Sequence, residues 1–160
     1  MTFDLFILEK GRSLDGWATF GLATMSLANT QPLSAALPAQ MKLTMSTSSS
    51  SAFGFTNNGF YGIKVQPQNY TVSFYYRPSS GASVAGGKLT VGFRDTSGQT
   101  TFANATVDVS NAPIASWSNY SVLLRVPSAA PTTQNTFFVE FPQGSQGDFE
   151  FNLISCFPLT

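Results

Sequence analysis

The sequence contains no histidine and a single cysteine, Cys156. Without histidine the chain lacks the commonest general base and the commonest metal ligand. No Ser–His or Cys–His pair can form, and no zinc site can be assembled from one cysteine. A lone cysteine excludes an internal disulfide and says nothing about redox compartment. Its setting, Phe151-Asn152-Leu153-Ile154-Ser155-Cys156-Phe157, suits a buried structural thiol rather than a nucleophile. Charge is scarce as well. Charged residues make up 10% of the chain, and 8 Lys/Arg balance 8 Asp/Glu. No net field is available to attract nucleic acid or an anionic membrane, so neither is expected as a partner. No segment approaches the ~20 apolar residues of a membrane span. No window sustains an i, i+3, i+4, i+7 apolar pattern with caps, so no helix is expected.

What is present is core material and turn chemistry. Apolar residues reach 42% of 160 residues, with 15 phenylalanines, enough for one domain spanning 1–160. Ser, Thr, Asn and Gln supply the surface polarity. Hydroxyls and amides exchange hydrogen bonds with a neutral partner such as a glycan without desolvating a charge. Candidate strands are 3–8, 17–20, 23–27, 40–46, 52–56, 60–65, 69–77, 87–95, 100–109, 118–126, 135–141 and 149–157. Clusters such as Pro78-Ser79-Ser80-Gly81 and Asp95-Thr96-Ser97-Gly98 separate them. About a dozen short strands with Gly/Pro/Ser turns imply an all-β fold, a two-sheet antiparallel β-sandwich of the jelly-roll kind. The segment Met1 to Lys10 reads as a first strand rather than a secretory leader, because its apolar run is short and Asp4 interrupts it. The sequons at Asn69, Asn104 and Asn119 gain meaning only if a leader precedes it.

Side-chain parity divides each strand into a core face and an outer face. Tyr70, Val72, Phe74 and Tyr76 alternate with Thr71, Ser73, Tyr75 and Arg77. Leu89, Val91, Phe93, Val122, Leu124, Phe137, Val139 and Phe151 belong to the core by the same rule. The outer sets contain Tyr75, Arg77, Arg94, Arg125 and Glu140. If the central strands share one sheet, these converge on its concave face, with Gly92 leaving a shallow space beside them. A ring to stack on a sugar, with arginine and carboxylate hydrogen bonds to its hydroxyls, is sufficient chemistry for weak binding of a neutral glycan. Tyr61, set among glycines in Asn57-Asn58-Gly59-Phe60-Tyr61-Gly62, is a second candidate contact at a sandwich rim. Trp17 is expected to pack against the core or rim. Asp148, Glu150 and Glu140 do not form a pair suited to glycoside hydrolysis, so no catalytic residue is assigned and the chain is read as a non-enzyme.

The order of segments resembles a known family. Leu14-Asp15-Gly16-Trp17, Gly59-Phe60-Tyr61-Gly62-Ile63, Tyr70-Thr71-Val72-Ser73-Phe74-Tyr75, Trp117 before Tyr120, and Phe149 to Pro158 resemble the β-sandwich module of fungal family 51 α-L-arabinofuranosidases. That module is similar to carbohydrate-binding modules of families 4 and 9. In those enzymes a (β/α)₈ barrel supplies the catalytic glutamates, and no barrel segment or Asn-Glu acid motif occurs in these residues. The resemblance therefore implies a fold and sugar affinity, not hydrolysis. It also implies room for a structural calcium, although no Asp-rich loop supplies evident ligands. The leading expectation is a non-catalytic carbohydrate-binding protein, lectin-like or a free-standing module. A bare rim would favour a homodimer or higher homo-oligomer. The alternative is a structural or protein-interaction jelly roll, an accessory domain without its own sugar binding.

Overall fold

A computed structural model describes residues 14–59 and 61–159. Among these residues lie ten strands: β1 (Trp17–Phe20), β2 (Thr24–Ala28), β3 (Gln40–Met45), β4 (Phe53–Asn57), β5 (Asn69–Pro78), β6 (Lys88–Asp95), β7 (Thr101–Asp108), β8 (Ser118–Arg125), β9 (Asn135–Phe141) and β10 (Gly147–Pro158). They form two five-stranded sheets. The first has the order β1-β4-β9-β6-β7 and the second β2-β3-β10-β5-β8. Every neighbouring pair is antiparallel. The chain is thus an all-β, two-sheet β-sandwich, as its alternation dictates.

The inward sets of the two sheets meet as one core. Tyr70, Val72, Phe74, Leu89, Val91, Phe93, Leu124, Phe137, Val139 and Phe151 are all buried, and Val122 packs half-buried against them. Phenylalanine dominates the contact between sheets. Between ring centroids, Phe141 lies 4.4 Å from Phe149 of the facing sheet and stacks at 5.1 Å on Phe53, its neighbour in its own sheet, and Phe55 meets Phe151 of the facing sheet edge-on at 5.0 Å. Such pairs contribute about 0.5–1.5 kcal/mol each beyond their buried area. Cys156 is fully buried on the inner face of β10, and desolvation pushes its thiol up to about 12, which leaves it unreactive at neutral pH. Trp17 packs edge-on against Phe55 at 5.5 Å.

Three expectations need correction or delimitation. Residues 61–65, read as part of a strand, run outside any sheet ladder; the segment is tied instead by Ile63 N–H to Thr133 O (2.8 Å) and Ala130 N–H to Val65 O (3.1 Å). The strand expected at 3–8 and the position of Phe60 lie outside the described residues. The largest correction concerns the outer faces. β5 and β6, consecutive in sequence, belong to different sheets. Tyr75, Arg77 and Arg125 therefore stand on the outer face of the second sheet, while Arg94 and Glu140 stand on the outer face of the first. Parity fixes which side of a strand a residue occupies, but not which sheet receives the strand. Convergence of Tyr75 with Arg94 is excluded by this topology.

Candidate functional site

The outer face of the second sheet is built in rows set by strand register. One row runs Lys42, Glu150, Arg77; the next runs Asn152, Tyr75, Asn119; beyond it Ser155, Ser73 and Ser121 align, then Phe157, Thr71 and Leu123. The rows divide into a sealed end and an open end.

Arg77 anchors the sealed end. Its Nε donates to Glu150 Oε2 at 2.8 Å and Nη2 donates to the same oxygen, so two donors of a buried arginine converge on one oxygen of a buried carboxylate. Two further guanidinium donors go to the segment between β2 and β3. Nη1 donates to the Gln31 side chain and Nη2 to Thr30 O at 3.2 Å. Gln40, fully buried, adds hydrogen bonds from Nε2 to Thr30 O (2.9 Å) and to Glu150 (3.2 Å). Trp117 Nε1–H donates to Gln31 O at 3.0 Å, and its ring lies 5.7 Å from the guanidinium carbon. Gln31 holds this position with φ of 52°, in the left-handed region that a non-glycine residue rarely adopts. The expectation that Arg77 faces a ligand is corrected here. It is occupied by its own protein, because an arginine on this sheet face has more donors than its one carboxylate partner can use, and the strap adds a backbone carbonyl, Thr30 O, and the Gln31 side-chain oxygen.

The open end begins one row away. Tyr75, Ser73, Asn119, Leu153, Ser155 and Phe157 line a depression of about 290 Å³. A β-bulge creates it. Between Asn152, opposite Tyr75, and Ser155, opposite Ser73, β10 carries one extra residue. Leu153 takes φ of 47° there, and its N–H is held by Asn152 Oδ1 at 2.8 Å. The bulge also reverses the parity of the rest of β10. Strict alternation from Phe151 would send Ser155 and Phe157 into the core; instead Ile154 and Cys156 are buried and Phe157 is 38% exposed. Ser73 and Ser155 share a hydrogen bond at 2.8 Å on the floor. The result is an apolar patch of Tyr75, Leu153 and Phe157 bordered by hydroxyls and an amide, with no charged lining residue.

The other candidates lie apart. Arg125 shares this face, but sits six residues along β8 from Asn119, about 20 Å at the usual rise per residue. Arg94, on the opposite sheet, is clamped between Phe20 (4.5 Å) and Phe138 (4.3 Å) and pairs with Glu140 at 3.4 Å. Gly92 makes no space for a ligand. A Cβ there would meet Ala103 O at 2.1 Å, so its glycine serves the close approach of β7. Tyr61 is 96% exposed at the end of the sandwich, beside Asn58, Thr96, Thr133 and Gln134. Among the described residues, no group of three or more acidic, cysteine or histidine side chains is placed to hold a metal ion. The residues that parity alone missed, Leu153, Ser155 and Phe157, are products of the bulge. The signal for them is the break in alternation at Ile154-Ser155-Cys156.

Comparison with known proteins agrees with this architecture. No family model matches the chain. A probable α-L-arabinofuranosidase A from Aspergillus terreus is 38% identical over 65 residues, 41% of this chain and 10% of that enzyme. The chain thus aligns with about a tenth of the curated relatives it matches. The solved structure of an arabinose-bound family 51 α-L-arabinofuranosidase, MgGH51, superposes with a TM-score of 0.87 at 27% identity, covering 98% of this chain and 26% of that one. The CBM22-1 xylan-binding domain from Paenibacillus barcinonensis Xyn10C superposes with a TM-score of 0.63 at 14% identity, over 100% of this chain and 94% of that domain. The chain is therefore similar to the β-sandwich of family 51 arabinofuranosidases and has the fold of carbohydrate-binding modules.

Proposed function

We propose that this β-sandwich is a non-catalytic carbohydrate-binding domain that takes a neutral glycan at the open end of the second sheet. The observation that carries the reading is the depression formed by Tyr75, Leu153 and Phe157 with Ser73, Ser155 and Asn119 at its border. A phenol ring and two apolar side chains present a surface on which the C–H face of a sugar ring packs. The surrounding hydroxyls and carboxamide match its hydroxyl groups without a charge to desolvate. The fold shared with a xylan-binding domain supports a polysaccharide as ligand class.

Hydrolysis finds no support in the carboxylates. Glu150 is bound to Arg77, Glu140 pairs with Arg94 on the opposite face, and Asp148 pairs with Lys42 at 3.4 Å. None is set across a cleft from another, as bond cleavage between two carboxyl groups would need. A shallow face buries little ligand, so single-site affinity is expected at a Kd of ~0.1–1 mM. Self-association of copies would then supply avidity.

Retention of the purified chain on insoluble xylan and on insoluble β-glucan tests the reading, run at low and high salt. Retention that persists in high salt is expected, because the lining carries no charge to be screened. Failure to bind any polysaccharide, or binding abolished by salt, would refute it.

A further inference from the structure

The end of the sandwich opposite the strap's ion pair carries a feature that the Tyr75 face does not use. Three connections meet there: the segment after β4, the β6–β7 turn and the segment before β9. They enclose a depression of about 500 Å³ lined by Asn58, Tyr61, Thr96, Thr133 and Gln134, within the ~300–1,000 Å³ of small-ligand sites. With Asn135 beneath them, its side chains are a ring, three carboxamides and two hydroxyl groups. Charge is missing from the lining, as it is from the open end of the second sheet.

Tyr61 is 96% exposed, so its ring contributes almost nothing to folding. The described backbone near it, at Gly59 and from Gly62 onward, is nonetheless tied down. Gly59 N–H is held by Asn57 Oδ1 at 2.8 Å, and Asn57 is itself buried. Gly62 has φ of 86°, and a Cβ there would meet Thr133 O at 2.3 Å, so the two connections touch backbone to backbone. Asn135 ties the same pair together, with Nδ2 donating to Ile63 O (2.8 Å) and Thr132 O (2.7 Å). Thr96 N–H donates to Gln134 O at 2.9 Å and draws in the third connection. Asn135 is 1% exposed, lines the depression, and its Oδ1 has no hydrogen-bond partner among the described residues. A buried carboxamide oxygen of this kind favours a donor beside it, such as a hydroxyl group. An exposed ring on a braced loop, next to a neutral hydrogen-bonding hollow, is preorganised for a ligand at small entropic cost.

We infer that this end of the sandwich is a second saccharide subsite, in which Tyr61 stacks on an uncharged sugar residue while Asn58, Thr96 and Gln134 bind its hydroxyls. It rests on the reading of the protein as a glycan binder, but not on the Tyr75 face. Two sites on different surfaces of one domain would let a single copy contact two chains, or two points of one branched chain.

Two-dimensional ¹H–¹⁵N NMR of the whole chain, titrated with xylohexaose, cellohexaose and linear arabinohexaose, separates the sites. At least one probe should shift the amides of Asn58, Thr96 and Gln134 saturably. Tyr61→Ala should weaken that response by about tenfold or more, a loss of ~1.4 kcal/mol, while Tyr75→Ala leaves it unchanged. The inference is overturned if these amides stay silent, or if Tyr61→Ala titrates as the parent does. Shifts around Tyr61 with none around Asn119 and Ser155 would sink the Tyr75 face and uphold the second subsite. Shifts around Asn119 and Ser155 alone would do the reverse, and silence everywhere would refute both.

Discussion

The outer face of the second sheet holds two neighbouring regions made from the same strands with opposite outcomes. At one, Arg77, Glu150 and Gln40 are sealed beneath Thr30 and Gln31, with Trp117 at the side. At the other, one row along β5, Tyr75 stands half-buried beside Leu153 and Phe157, with no strap over it. The difference lies in hydrogen-bonding demand. A guanidinium and a carboxylate removed from water need partners, and the strap adds Thr30 O and the Gln31 side chain to the pairing of Arg77 with Glu150, leaving Gln40 Oε1 as the one buried polar side-chain atom of the cluster without a hydrogen-bond partner among the described residues. A phenol ring and two hydrocarbon side chains make no such demand, so nothing is recruited to cover them. On this sheet face the most polar residues are used by the protein on itself, while their less polar neighbours are left without a strap over them.

The strongest way to break this comparison is to unbalance the sealed end. Glu150→Ala strands a buried guanidinium and should destabilise the fold by ~3–5 kcal/mol, measured by urea denaturation. A loss under about 1 kcal/mol would mean that Arg77 is already solvated and the end is not sealed. Next in size is the bulge. Leu153→Ile places a β-branched side chain at a φ of 47° and should cost ~1–2 kcal/mol while weakening glycan retention. Unaltered stability would show that the bulge is not the strained feature that opens the depression. The smallest effect is expected for Gln31→Gly, which gives up the side-chain bond to Arg77 but relieves the left-handed backbone. The two changes oppose each other, so stability should move by no more than about 1 kcal/mol, with glycan retention intact. Lost retention would place the ligand on the strap and erase the distinction between the two ends.

Much of this architecture is legible in the sequence, for a physical reason. The alternation of Tyr70, Val72, Phe74 and Tyr76 against Thr71, Ser73, Tyr75 and Arg77 is local, and burying one face of a strand enforces it. Each expected core residue from Tyr70 to Phe151 is accordingly buried or half-buried. What stays hidden is nonlocal. Arg94 looks equivalent to Arg77 by parity, yet β6 crosses to the other sheet, where Phe20 and Phe138 take its guanidinium. Gln31, in a segment without periodicity, gives no sign that it caps Arg77 across 46 residues. The extra residue at Leu153 shifts Ser155 and Phe157 to the outside, and only pairing with Ser73 and Tyr75 reveals it. Tyr61 is legible in part: the glycines around it point to a ring at the rim, whereas the apolar run after it reads as a strand that the structure does not form.

The central claim, that the open end binds a neutral glycan through Tyr75, is tested most directly by Tyr75→Ala. The variant and the parent would be compared for retention on the polysaccharide that holds the parent, with thermal unfolding recorded on both. An outward ring adds little to the core, so the melting temperature should stay within a few degrees while retention at that face is lost. Retention equal to the parent's, with the fold intact, would contradict the account.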